Sequence, residues 1–97
     1  MNYTEAIKST PIVVVEFYAS WCPHCQRMAP VVTKIKKQLE GKVDIYQFDI
    51  DEDPELSDKQ GVETVPTIII YKNGKEQWRE AGEMEGKDLL EKIDSYL

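Results

Sequence analysis

Hydrophobic side chains fall along this chain in short blocks whose spacing changes from one block to the next. Residues 12–19 run Ile-Val-Val-Val-Glu-Phe-Tyr-Ala, dense in β-branched and aromatic side chains without polar alternation. Such a run predicts a central strand covered on both faces, with Glu16 as its one acid. Further on the period lengthens: Met28, Val31, Val32, Ile35 and Leu39 recur at helical spacing between Lys34, Lys36, Lys37 and Gln38. Residues 23 to 40 therefore read as a helix with one buried face. Pro30 lies inside it and is expected to kink it, and Gly41 to close it as a left-handed cap.

Residues 43–50 form a second strand pattern. Asp53-Pro54 opens a short helix, the acid as N-cap and the proline at the first position, and Gly61 closes it. Strand, helix, strand, helix points to parallel pairing. The pattern then shifts: residues 67–71 are a strand, Asn73-Gly74 is a two-residue hairpin signal, and residues 76–81 return antiparallel. Beyond Gly82, the residues Leu89, Leu90, Ile93 and Leu97 share one stripe of a last helix. Residues 2–9 read as a short helix or irregular lead-in, with Ala6 and Ile7 as its apolar contacts. The fold class is α/β, a mixed central β-sheet flanked by helices on both faces, in a single domain spanning residues 1–97.

A chain of 97 residues buries roughly two-thirds of its unfolded surface without staples. With 12 Lys+Arg against 18 Asp+Glu the net charge is −6, which argues against nucleic acid as a partner, because that binding needs clustered positive charge. An anionic membrane surface would repel it too. The longest apolar run, Ile12 to Val15, is far too short to span a bilayer. The first residues show no basic segment followed by a long apolar one, so the expected setting is cytoplasmic.

Both cysteines stand in Trp21-Cys22-Pro23-His24-Cys25, where strand pattern gives way to helix pattern. Two thiols separated by two residues can close a disulfide ring and reopen it. At a helix N-terminus the unpaired N–H groups and the macrodipole stabilise an anion, so the Cys22 thiolate is favoured, and the thiolate is the nucleophile. Pro23 suits the first helical position. Cys25, one turn deeper and expected to be less exposed, fits a resolving thiol. Cys22, Cys25 and His24 fall short of a closed tetrahedral metal set, so no metal is expected. Trp78 and the tyrosines read as packing or cross-strand pairs.

Three separated stretches agree in kind. Phe17-Tyr18-Ala19-Ser20-Trp21-Cys22-Pro23-His24-Cys25, Val65-Pro66-Thr67, and Lys72-Asn73-Gly74 before Gly82 together resemble the thioredoxin family, from about Ile12 onward. The N-terminus looks shorter than usual, with the family's first strand shortened or missing. The resemblance implies a thioredoxin fold and a protein-disulfide reductase, with Cys22 attacking and Cys25 resolving. It places Pro66 in a cis-proline loop whose preceding residue, Val65, pairs with substrate backbone. It also implies a substrate platform of Trp21, Pro23, His24, Ile50, Thr64, Val65, Ala81 and Gly82, and a buried acid, Glu16, that moves protons to and from the inner cysteine. The cysteine pair is itself the reagent, so no cofactor is expected. The implied partners are protein disulfides and a thioredoxin reductase as electron donor, the chain acting as a monomer.

Three departures matter. Glu16 stands where Asp is usual, Gln47 replaces a common lysine, and Pro23-His24 replaces Gly-Pro. Loss of the lysine cation should raise the pKa of Glu16 further. The Pro-His dipeptide resembles that of the strongly oxidising periplasmic disulfide donor, and His24 can favour the Cys22 thiolate by hydrogen bond or charge. The stretch from Cys25 to Pro66 has no room for that donor's helical insertion, so the expected potential lies between about −270 and about −120 mV. The alternatives are a disulfide oxidase or isomerase, and a binding module in which redox chemistry is incidental. A glutaredoxin-like activity is disfavoured, since no site for the glutathione carboxylates is evident.

Overall fold

In the computed structural model, which describes residues 2–97, the chain begins with a capping box. The Asn2 side chain accepts from the Glu5 amide at 2.8 Å, the Asn2 amide donates to the Glu5 carboxylate at 3.2 Å, and α1 (Tyr3–Ala6) follows. The remaining elements are β1 (Ile12–Tyr18), α2 (Pro23–Gln38), β2 (Asp44–Asp49), α3 (Pro54–Lys59), β3 (Thr67–Lys72), β4 (Lys75–Ala81) and α4 (Gly86–Asp94). The strands form one mixed sheet in the order β2-β1-β3-β4. β1 pairs parallel with β2 across the α2 crossover, and antiparallel with β3. The β3–β4 hairpin turns on Asn73 and Gly74, both at positive φ (51° and 80°), as a two-residue turn that matches strand twist requires.

Alternation along β1 divides the core. Ile12 and Val14 join Met28, Val32, Ile35, Leu39, Leu89 and Ile93 beneath α2 and α4, while Val13, Val15 and Phe17 face Tyr3, Phe48, Leu56 and Val62 on the side of α1 and α3. The run of strand residues without polar alternation is thus explained: β1 is covered on both faces. Tyr3 ties α1 down, its hydroxyl 2.7 Å from that of Tyr71 and its ring against Phe17 and Phe48. Trp78 is half-buried over the α4 side, with the Lys92 ammonium 5.5 Å from its ring centre.

Gly41 and Gly61 close their helices at positive φ, 85° and 69°. α2 runs continuously through Pro30. The stripe of the last helix needs correction: Leu89 and Ile93 are buried and Leu90 half-buried, but Leu97 is 61% exposed. α4 ends at Asp94, so Leu97 has left the helical register that would have turned it inward.

Candidate active site

The site begins where β1 runs out. Ala19 is fully buried, its carbonyl accepts from the Cys22 amide at 3.2 Å, and Cys22 becomes the N-cap of α2, with extended backbone (φ −87°, ψ 117°). Pro23 takes the first helical position, where its missing N–H costs nothing. The Sγ of Cys22 accepts from the Cys25 amide at 3.2 Å, so a free N–H of the first turn points at this sulfur. Both cysteines are free thiols.

The Val65–Pro66 peptide is cis, and it brings the Val65 carbonyl to 3.6 Å from the Cys22 sulfur, where the thiol donates to it. Pro66 is buried, and its carbonyl accepts from the Gly82 amide at 2.8 Å. Thr67 pairs with Ala81 in the hairpin, so Ala81 and Gly82 are held beside the proline loop.

A cleft of about 370 Å³ opens over the sulfur, lined by Trp21, Cys22, Pro23, His24, Ile50, Val62, Glu63, Thr64 and Val65. The structure therefore gathers Trp21, Pro23, His24, Ile50, Thr64 and Val65 in one wall, and adds Val62 and Glu63, which lie in a loop without periodic signal. Ala81 and Gly82 stand outside this lining, at the other flank of the proline loop. Trp21 is 63% exposed, and its indole N–H donates to Asp51 at 2.8 Å. Asp51 was not marked by the sequence pattern, since it lies among several acids of a solvated loop.

The two thiols do not differ in coverage. Cys22 and Cys25 are both 4% exposed, whereas Cys25 was expected to be the more hidden. Val65 lies over the outer sulfur and shields it. Environment separates them: Cys22 lines the cleft and Cys25 does not. Burial pushes the Cys25 thiol up to about 12, helped by the hydrogen bond to Cys22 and by the charges of Cys22 and Glu16.

Behind Cys25, Glu16 is buried at 1% exposure on the α2 side of β1. Its Oε1 accepts from the Gln47 side chain at 3.0 Å, a contact that the parallel register Glu16↔Gln47 dictates. Its Oε2 has no hydrogen-bond partner among the described residues. Burial raises the Glu16 pKa above the ordinary carboxylate range, and the Gln47 hydrogen bond only partly opposes this.

His24 is exposed and not alone. Its Nδ1 lies 3.0 Å from Glu83 Oε1 and 2.8 Å from an Arg27 guanidinium nitrogen. Arg27 and Glu83, 56 positions apart, were invisible to motif reading. Among the described residues no group of three or more His, Cys, Asp or Glu side chains is arranged to hold a metal ion.

A free dithiol at a helix N-cap, facing a cis-proline loop and backed by a buried acid, sits on a three-layer α/β sheet that other proteins share. The Thioredoxin family model matches residues 1–95. The chain belongs to the thioredoxin family. It is 36% identical over 93 residues to the thioredoxin of Rickettsia bellii, covering 96% of this chain and 89% of that one. It is 33% identical over 91 residues to the M-type chloroplastic thioredoxin of Pisum sativum, covering 94% of this chain and 53% of that one. A mutant thioredoxin from Halobacterium salinarum superposes with a TM-score of 0.87 at 28% identity, over 96% of this chain and 80% of that one. The protein is a thioredoxin-like thiol–disulfide oxidoreductase that reduces protein disulfides. Thioredoxins use the cysteine pair itself as redox centre and need no cofactor. Among the described residues no helix is long and apolar enough to cross a membrane.

Proposed function

We propose that Cys22 is the attacking thiol, Cys25 the resolving thiol and Glu16 the proton-transfer group of a disulfide reductase. The observation that carries this reading is the Cys22 sulfur at the α2 N-cap, accepting the Cys25 amide at 3.2 Å while facing the Val65 carbonyl at 3.6 Å. The Cys22 thiolate attacks one sulfur of the substrate disulfide; a Cys22–substrate bond forms, the substrate bond breaks, and the first substrate sulfur leaves as a thiolate that takes a proton from solvent. Cys25 is then a thiol with a high pKa, in need of a base. Forming the mixed disulfide removes the Cys22 thiolate, and with it two of the causes that hold the Cys25 proton. Glu16 accepts that proton, and its raised pKa brings it closer to the thiol than an ordinary carboxylate would be. The Cys25 thiolate attacks the Cys22 sulfur, the intramolecular disulfide forms, and the second substrate sulfur leaves and is protonated. Two electrons have passed to the substrate.

Substrate backbone is held at Val65, beside Pro66, with Trp21, Pro23, His24, Ile50 and Thr64 along the cleft and Ala81 and Gly82 flanking the loop. His24 and Pro23 tune the thiolate. The domain spans residues 1–97, works as a monomer in the cytoplasm and is recharged by a thioredoxin reductase; the Rickettsia relative supports this setting. The test is the reduction potential of the Cys22–Cys25 pair in graded glutathione buffers, with thiols counted by alkylation mass. A value nearer −270 than −120 mV is expected, about where a reductant belongs; a value close to about −120 mV would mark an oxidant and overturn the reductase direction.

A further inference from the structure

Three side chains meet at the edge of the cleft. Arg27, one turn past His24 on α2, donates through Nε to both carboxylate oxygens of Glu83 (3.1 and 3.3 Å), and Glu83 follows directly after Gly82. One guanidinium nitrogen lies 3.0 Å from Glu83 Oε1 and 2.8 Å from His24 Nδ1, which is itself 3.0 Å from the same oxygen. A neutral imidazole accepts at Nδ1 from Arg27; a protonated one donates there to Glu83. What never changes is the guanidinium charge, since arginine holds its proton at all working pH values. The Cys22 thiolate and this guanidinium also feel each other: the sulfur's charge helps hold the Arg27 proton, after the larger effect of Glu83. Acids also lie nearby: Glu63 in the cleft wall, Asp51 on Trp21, and Glu16, whose charge acts on Cys25.

We infer that Arg27 is a positioning and charge-setting residue of the redox site, a permanent cation that stabilises the Cys22 thiolate and holds His24 at the cleft wall, with Glu83 as the counter-charge that moderates it. The inference rests on the reading of Cys22 as the attacking thiol. Stabilising the thiolate favours the reduced protein, so Arg27 pushes the pair toward an oxidant and Glu83 pulls it back toward a reductant. This gives the oxidant-like Pro-His tip a built-in opposing charge. All three groups are at least a third exposed (61%, 56% and 36% for His24, Arg27 and Glu83), so solvent screening limits each effect to roughly twofold to fivefold in an equilibrium constant.

The test uses the full chain with Arg27→Gln, Glu83→Gln and the double variant; each single replacement weakens the same Arg27–Glu83 contact but removes a charge of opposite sign. Iodoacetamide alkylation is followed against pH with peptide mass mapping, and the equilibrium of the protein disulfide with two glutathione molecules, giving dithiol and glutathione disulfide, is measured at pH 8, above the ordinary imidazole range. Arg27→Gln is expected to move the alkylation midpoint of Cys22 upward and to lower the equilibrium constant for reduction about twofold to fivefold. Glu83→Gln is expected to move both in the opposite sense, and the double variant to fall between. If the cluster were only a tether, either single change would break the same bonds and shift both readouts in the same sense; that result, or no shift in either, overturns the inference. Alkylation of Cys25 before Cys22 in the unaltered protein would overturn the assignment of the attacking thiol and the inference with it.

Discussion

The sulfur of Cys22 stands 3.6 Å from the carbonyl oxygen of Val65, a residue 43 positions further along the chain. A thiol donates across that gap; a thiolate has no proton to give, and its charge faces the negative end of a carbonyl. Ionisation of Cys22 therefore releases the Val65 carbonyl at the moment the sulfur becomes nucleophilic. On the proposed role of Val65, that acceptor is then open to the main-chain N–H groups of an extended substrate segment.

Removing one thiol at a time separates the two steps. Cys22→Ser is expected to reduce turnover of a disulfide-bonded protein to the uncatalysed rate. Cys25→Ser should instead hold one equivalent of substrate as a mixed disulfide on Cys22, visible as a mass increase under non-reducing conditions. Absence of any adduct with Cys25→Ser, at full substrate conversion, would contradict the assigned order of attack.

Glu16 gives opposite signs for stability and activity. Its pKa is raised by burial in the folded chain, so its contribution to stability is fully present below the unfolded carboxyl value and is lost as pH rises through the folded one. Glu16→Gln removes that loss. The thermal midpoint of the variant relative to the parent is expected to rise between pH 4 and pH 8, because the amide has no charge to bury as the carboxyl ionises. The same substitution should slow resolution of the mixed disulfide, with raised pH restoring the rate by ionising Cys25 directly. A variant that is both less stable at pH 8 and unaltered in resolution would refute this account.

The two ends of the last helix predict a contrast. Leu89, 2% exposed in the α2–α4 core, should cost about 2–5 kcal/mol on replacement by Ala. Leu97, 61% exposed beyond the helix, should cost no more than about 0.5 kcal/mol. Urea unfolding of both variants checks the pair, and equal costs would mean that the helix continues further than Asp94.

What could be read from the residues was what is local or periodic. The strand 12–18 announced its two-sided burial by lacking polar alternation, the Cys22 N-cap by the proline after it, and the hairpin by Asn73-Gly74. Leu97 misled because its spacing from Ile93 is helical while the helix itself stops at Asp94. The equal coverage of the two cysteines depends on Val65, which no helical-turn argument contains. Arg27 and Glu83 meet only because the end of β4 returns to the first turn of α2, a relationship set by the sheet order β2-β1-β3-β4. Gln47, noted as a replacement for a cation, became a hydrogen-bond donor to Glu16 through the register of parallel strands.

Trp21, exposed along the cleft wall, donates its indole N–H to Asp51 at 2.8 Å. Asp51→Ala is expected to change stability by no more than about 0.5–1.5 kcal/mol, the worth of a single hydrogen bond, while making the Trp21 emission more sensitive to a collisional quencher. Substrate KM should rise with little change in the rate of the chemical step. An unchanged quenching curve would show that the ring is fixed by other contacts.

The sheet ends at β2, and an edge strand is an invitation to pair with another chain. Laid antiparallel against its own copy in full register, Asp44–Asp49 would bring Asp44 opposite Asp49 at both ends of the ladder, carboxylate against carboxylate. Self-association through this edge is thus penalised at neutral pH by the strand's own first and last residues.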